Sequence, residues 1–378
     1  MRRALLCALL AALPTGAAAQ SSQFGVRGLG YPGRALSAYA TGSAGAFGLF
    51  DPESSLNPAA LGAVTAVTAV FTGVQDFRSV ENPAGSESVR AARFPQVAFV
   101  GPVPRFPVVF GLSYSNYASR DFSIATTDTI ALRGAPVAVN DTLSSRGGLS
   151  DLRFAGSYRV QGRWTFGGAL HVITGSNRLE SRRSFGDSTY RPSRESAEVS
   201  FAGVGASLGM ILQLGPAFSV AATARSDGHV NVDRDSVRAG VVDLPYSFGL
   251  GVRLQASPRL MLASQALYHT WSGANSDFLA QGAPGAENNF EVALGGEYIG
   301  NVRRPFRLPI RFGVRYGTAP FLLQPEEQPT ELGISLGTGT RFAQQRAGVD
   351  LALEHVWRSA GEFSERALLV TVGVSLRP

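Results

Sequence analysis

The sequence predicts an all-β chain, a transmembrane antiparallel β-barrel of about 14 strands with an N-terminal hatch inside its lumen. Three observations carry this: apolar residues alternating with small or polar ones at period two, connections that alternate between short and long, and a composition poor in charge. Of 378 residues, 44% are hydrophobic, 16% are charged and 44 are Gly, with a mean hydropathy of +0.06. That charged share falls below the roughly 25% of soluble domains. The 23 Phe and 10 Tyr exclude wholesale disorder.

The first element is an export signal at residues 1–19. Arg2 and Arg3 precede the apolar run Ala4 to Leu13, followed by Pro14 and the small stretch Ala17-Ala18-Ala19 before Gln20. The run is far shorter than the ~20 residues of a membrane helix, so cleavage is expected and the mature chain begins near Gln20. The only cysteine, Cys7, lies inside this signal, in a poor match to a lipoprotein site. The mature chain therefore offers no disulfide and no thiolate metal site. All basic residues are Arg; after cleavage 32 of them face 28 acidic residues without a dense run, which argues against a nucleic-acid partner.

Residues 20–62 read as the hatch. Apolar punctuation at Phe24, Leu29, Tyr39, Phe47, Phe50 and Leu56 within small, turn-forming sequence favours packing over a solvated tail. Residues 63–378 read as the barrel. Leu368, Val370, Val372, Val374 and Leu376 alternate with Leu369, Thr371, Gly373 and Ser375, and Ile310, Phe312, Val314 and Tyr316 alternate with Arg311, Gly313 and Arg315. Such segments give strands beginning near Val64, Arg93, Phe106, Leu149, Arg163, Glu198, Phe218, Pro245, Leu260, Asn289, Leu308, Glu331, Ala347 and Arg366. Between them, tight links near Pro102, Gln161, Gly215, Pro258, Asn301 and Gln344 alternate with longer polar loops at 75–92, 119–148, 176–197, 226–243, 272–288 and 319–330. Short periplasmic turns and long extracellular loops are the habit of outer-membrane barrels. Only a closed barrel satisfies every backbone polar group of strands at membrane depth.

The Gly28-Leu29-Gly30 opening, followed by Asp51 through Asn57-Pro58-Ala59-Ala60-Leu61, resembles the N-terminal hatch of the FadL-type outer-membrane transporters of long-chain fatty acids and aromatic hydrocarbons. Asp243-Leu244-Pro245 and the hairpin ending His269-Thr270-Trp271-Ser272 resemble a second part of that family. The resemblance implies a 14-stranded barrel in the bacterial outer membrane and passive, hatch-gated uptake of a hydrophobic small molecule. It implies hatch roles for Asn57, Pro58 and Ala59, beside which Phe47 and Phe50 are candidate gating residues, and a lateral-gate strand carrying Gly111, Tyr114 and Tyr117. Outer-membrane lipid, lipopolysaccharide and the barrel assembly machinery are the implied partners. The ending Val374-Ser375-Leu376-Arg377-Pro378 lacks the usual terminal aromatic of the assembly signal. Relatives also include PorV-like secretion accessories, so a barrel that binds protein partners is one rival and a general porin another. The several lumen-facing Arg keep the first alive.

Motifs that suggest chemistry read as structure. The G-x-G-x-x-G of residues 28–33 follows no strand and carries Pro32 where a helix should open. Two G-x-S-x-G matches, around Ser207 and Ser335, sit inside alternating strands where a nucleophile elbow needs a strand-to-helix turn. His171, His229, His269 and His355 are isolated in sequence, and Trp164, Trp271 and Trp357 suit an aromatic girdle. The pairs Arg182-Arg183 and Arg303-Arg304 are most simply solvated, with lipopolysaccharide phosphates as a further partner. No catalytic residue, cofactor or metal is expected.

Overall fold

The computed structural model describes residues 22–83, 85–280 and 283–377, so the export signal lies outside the described residues. Among the described residues eighteen strands form one sheet. Fourteen of them build the wall: β2 (Thr68–Asn82), β3 (Gly85–Pro102), β4 (Val108–Ser119), β6 (Ala135–Val160), β7 (Trp164–Phe185), β8 (Ser193–Gln213), β9 (Phe218–Ser226), β12 (Tyr246–Ser257), β13 (Leu260–His269), β14 (Asn289–Tyr298), β15 (Arg307–Thr318), β16 (Thr330–Phe342), β17 (Ala347–Ala360) and β18 (Phe363–Leu376). Each is antiparallel to the next, and β18 pairs with β2 from Leu376↔Ala69 to Ser364↔Glu81, which closes the barrel.

The expected alternation sets the two faces. Phe312, Ile310 and Tyr316 are exposed outward while Arg311 and Arg315 are buried inward, and Leu351 and Leu353 face out around buried Ala352. The outward band of Phe, Leu, Val and Tyr has the character of a surface that meets lipid.

The long loops are corrected by the structure. Residues 75–92 are mostly strand, and the starts expected at Arg93, Leu149 and Glu198 lie inside strands that begin at Gly85, Ala135 and Ser193. Within 119–148, β5 (Phe122–Leu132) pairs with β6, and within 226–243, β10 (His229–Arg234) pairs with β11 (Val237–Asp243). β5 is exposed on nearly its whole length, so the apolar alternation disappears there while Thr and Ile keep their preference for strands, whereas Val230 of β10 and Val242 of β11 are buried in an apolar cluster. Arg133 (φ 52°) with Gly134 (φ 81°), and Asp235 (φ 48°) with Ser236 (φ 68°), close the hairpins as two-residue turns with positive φ at both positions.

One place in the wall is left open. β3 and β4 pair only from Gln96↔Ser115 to Pro102↔Val109. Above that ladder β3 bulges at Phe94-Pro95, two residues standing opposite Gly73 of β2, and β4 bulges between Asn116 and Ala118 against β6. A bulge ends pairing and re-aims the strand, and Pro95 has no N–H to donate. The free edge of β4 is taken instead by β1 (Tyr31–Pro32), with Tyr31↔Ser119 and Pro32↔Ala118.

Candidate functional site

Residues 22–63 fold inside the barrel, as the burial of Phe24, Leu36, Phe47, Leu49 and Leu61 records. A short helix, Ala38–Thr41, is capped by Ser37, and a 3-10 helix, Pro58–Ala63, by Asn57. Asn57 accepts from the Ala59 N–H at 3.0 Å and donates to the Leu49 carbonyl at 2.9 Å. Such a cap contributes about 1 kcal/mol. The wall makes room for it: a Cβ on Gly209 would meet Asn57 Oδ1 at 1.9 Å, and one on Gly167 would meet Pro58 and Ala59 backbone at 2.3 Å. Phe47 packs on Tyr39 with ring centroids 5.8 Å apart, and Phe50 lies under Arg253 at 4.8 Å.

Charge ties this segment to the wall. Arg34 reaches Glu291 at 3.0 Å and Glu354 at 3.1 Å. Arg315 holds Glu354 at 2.5 Å and also pairs with Glu331, and Arg358 bridges Glu331 and Glu365. The Tyr31 hydroxyl donates to Glu331 beneath the Arg358 guanidinium, and the Ser22 hydroxyl donates to Glu365 at 2.9 Å. Lower down, Arg311 joins Glu297 at 2.8 Å and Asp350 at 2.7 Å and covers the Tyr39 ring at 4.3 Å. Buried guanidinium–carboxylate networks of this kind survive only when nearly every member is paired.

Asp51 is held by Ser37 and Ser54, each at 2.6 Å, and burial raises its carboxyl above the ordinary range. Burial pushes Glu53 up to about 7, and Asp51 and Asp350 add to the rise against Arg341 and Arg377. A carboxyl raised in the folded state contributes stability that is fully present below its unfolded value and lost as pH rises through about 7. Protection of residues 22–63 from protease is therefore expected to fall between pH 5 and pH 8.5. Glu53→Gln should flatten that dependence by ~2 kcal/mol.

A cavity of about 340 Å³ opens at the gap between β3 and β4. Phe94, Pro95 and Tyr114 line it at the wall, Val74, Leu369 and Thr371 line it in the lumen, and Tyr31 to Arg34 form its inner side. Two smaller cavities, about 150 Å³ beside Leu267 and Trp271 and about 130 Å³ beside Phe290 and Pro320, lie across the same residues. Pro32 and Gly33 line all three, so this stretch of chain partitions the lumen. Above it an apolar cluster caps the barrel, where Trp271 and Phe278 pack edge-on against Phe321 at 4.9 and 5.3 Å. Gly28 (φ +57°) tucks beneath that ring, where a Cβ would stand 2.4 Å from Phe321 Cδ1. The dinucleotide-like glycines therefore make a close turn.

The sequence-derived site residues occupy separate places. Asn57, Pro58, Ala59, Phe47 and Phe50 lie in the lumen segment. On β4, Gly111 faces Leu61, Tyr114 is 48% exposed and bonded to Ser150 at 2.6 Å, and Tyr117 turns inward to Asp227 at 3.1 Å. Three residues apart on the strand, the two tyrosines fall on opposite faces. Arg34, Arg315, Glu331 and Arg358 escaped sequence reasoning as a set, since Arg34 lies about 280 to 325 residues from the other three and those three sit on separate strands; Arg at lumen-facing positions of β15 was the signal available.

Two expectations are corrected. Trp271 belongs to the buried cap rather than to a girdle, because the loop after β13 folds over the mouth. His171 is not isolated: Nδ1 meets Asp151 at 2.9 Å and Nε2 meets the Ser207 hydroxyl at 2.9 Å, across β6, β7 and β8. This is the connectivity of a catalytic triad, yet Ser207 is only 4% exposed. Asn57 Oδ1 fills the space over Gly209 and Asp227 Oδ1 fills that over Gly205, on either side of Ser207. No carbonyl substrate fits between them, and Asp151 is further engaged by Arg225 at 2.8 Å. Ser207 should stay unlabelled by a fluorophosphonate probe, and His171→Ala is expected to cost about 2 kcal/mol by stranding buried acceptors. Among the described residues no cluster of potential metal ligands occurs.

No family model matches the sequence, and no curated protein does. Among solved structures, a FadL homologue of Pseudomonas aeruginosa is similar at TM-score 0.64 and 14% identity, covering 92% of this chain and 99% of that one. This chain has the FadL-type fold. The toluene transporter TbuX of Ralstonia pickettii (TM-score 0.56, 15% identity, covering 91% and 98%) and the Pseudomonas putida toluene transporter TodX (0.54, 13%, 95% and 99%) share it. In this FadL-type barrel β4 is the third wall strand, so its bulge and the adjoining gap fall on the strand expected to carry a lateral gate.

Proposed function

We propose that this FadL-type barrel sits in the bacterial outer membrane and admits hydrophobic molecules of the fatty acid or hydrocarbon class by passive uptake. The N-terminal segment acts as the hatch, and the gap between β3 and β4 is the lateral exit. The observation that carries this reading is the 340 Å³ cavity beside that gap, lined by Phe94, Pro95, Val74 and Leu369 and bounded inside by Tyr31 to Arg34. The volume suits a small ligand and these residues its apolar body, while Arg78, Arg93, Asp121 and Glu354 on the same lining offer polar partners for a head group. Movement of residues 31–34 would join the three cavities into one route beneath the apolar cap. The names of the neighbours, which are toluene transporters, favour the same substrate class. The barrel needs lipid around its outer band and the assembly machinery to insert it, and it acts without catalysis.

The charged lumen is what the accessory reading expects, but Arg34, Tyr31 and Ser22 of the hatch already occupy those charges. A general porin is disfavoured by the same filling. Expression in a host lacking its own hydrophobic channel tests the reading. Uptake of labelled fatty acid or toluene should rise while uptake of a disaccharide stays at background. Entry of the disaccharide with no gain for the apolar solutes contradicts it.

A further inference from the structure

The outer face of β6, β7 and β8 carries arginines in an arrangement that the isolated protein does not favour. Arg146 of β6 stands directly opposite Arg178 of β7, and Arg182 of β7 directly opposite Arg194 of β8. All four are exposed on the face that carries Phe154, Leu170 and Val204 lower down. Like charges on directly paired strand positions repel. Two acids share the patch: Glu180, which Arg194 holds at 2.7 Å, and Glu198, opposite Arg178. Arg146, Arg178 and Arg182 make no ion pair within 4.0 Å among the described residues. Arg183 belongs to the other face, where it pairs with Asp141 at 2.6 Å.

Height selects the occupant. The last large apolar residues on this face are Leu152, Val172 and Val204, after which Ser150, Thr174 and Ala202 follow. Arg178 lies four residues beyond Thr174, about 13 Å along the strand. With the strand tilted by ~35–45°, that places it roughly 10 Å above the hydrocarbon edge, within reach of the headgroups. Arg182 and Arg194 stand one similar step higher, roughly 20 Å above that edge and so at the level of a glycolipid's outer sugars and their phosphates, not of its membrane headgroup. Guanidinium forks match phosphate oxygens two at a time.

We propose that Arg146, Arg178, Arg182 and Arg194 form a binding stripe for a multiply phosphorylated glycolipid of the outer leaflet, one phosphate relieving each arginine pair. The stripe rests on the outer-membrane placement given above and is independent of uptake.

The test uses the purified full chain in detergent with bisphosphorylated lipid A, with the same lipid stripped of phosphate, or with inorganic phosphate alone. Native mass spectrometry and thermal unfolding are read together. The phosphorylated lipid should be retained and raise the Tm by several degrees, and Arg146→Gln/Arg178→Gln should weaken retention at least tenfold. Arg259→Gln/Arg346→Gln, at exposed turns on the opposite end, should leave it unchanged. Without lipid the Arg146→Gln/Arg178→Gln barrel should unfold within a few degrees of the parent, because the lost Arg146–Arg178 repulsion offsets the lost attraction to Glu180 and Glu198; the tenfold loss of retention is then a loss of lipid contacts. Equal retention of the stripped lipid, equal stabilisation by inorganic phosphate, or unchanged binding by the variant overturns the proposal.

Discussion

Arg315→Met is expected to release the N-terminal segment from the lumen at a cost of about 3–5 kcal/mol, the usual penalty for removing one partner of a buried ionic network. Arg315 is 2% exposed and faces Glu331, Glu354 and Glu291, so its loss leaves three carboxylates in one another's field with only Arg34 and Arg358 to answer them. The wall ladders around β15 are untouched by the change, so the barrel should keep its heat-modifiable migration on gels while residues 22–63 become protease-sensitive. Pairing the change with Glu331→Gln should recover part of the loss, since one uncompensated charge is then removed. Equal protease resistance in Arg315→Met and the parent would show that the network does not anchor the segment.

Val74→Trp is expected to reduce uptake of an apolar solute at least tenfold while changing the unfolding temperature little. Val74 lines the lumen side of the cavity opposite Phe94 and Pro95, and an indole there would occupy much of the 340 Å³. The ring would extend into open space rather than into packed core, so the overpacking cost of ~1–3 kcal/mol seen in cores should be largely avoided. Thr371→Trp, from the neighbouring strand, should act the same way. Phe110→Trp on the outer face is the control and should leave uptake intact, because Phe110 is 60% exposed away from the lumen.

The wall was legible because a buried lumen and an apolar exterior impose period two on every strand, and each of the fourteen wall strands contains or adjoins a segment read that way. The strand extensions above the membrane were not, since β5 and the upper half of β7 are wet on both sides and look like polar loops. The apolar punctuation at Phe24, Leu29, Tyr39, Phe47, Phe50 and Leu56 marked the lumen segment as one that packs, and Phe24, Leu29, Phe47 and Phe50 are buried; Asn57 was singled out by the family resemblance alone. What holds the segment was not legible: Tyr31 meets Glu331 and Ser22 meets Glu365 only after the barrel closes. The same holds for His171, whose partners Asp151 and Ser207 lie on flanking strands. Cross-strand chemistry is invisible until register is known, and register is fixed by bulges such as Phe94-Pro95 that a periodicity reading passes over.

The most direct test of the account is to map where an apolar solute rests. A fatty acid carrying a diazirine on its chain would be photolysed with the barrel in outer-membrane vesicles, and the labelled residues identified by mass spectrometry. The account expects labels on Val74, Phe94, Tyr114 and Leu369, lost in Val74→Trp. Labels spread over the lipid-facing band alone, unchanged by Val74→Trp, would contradict a route between β3 and β4.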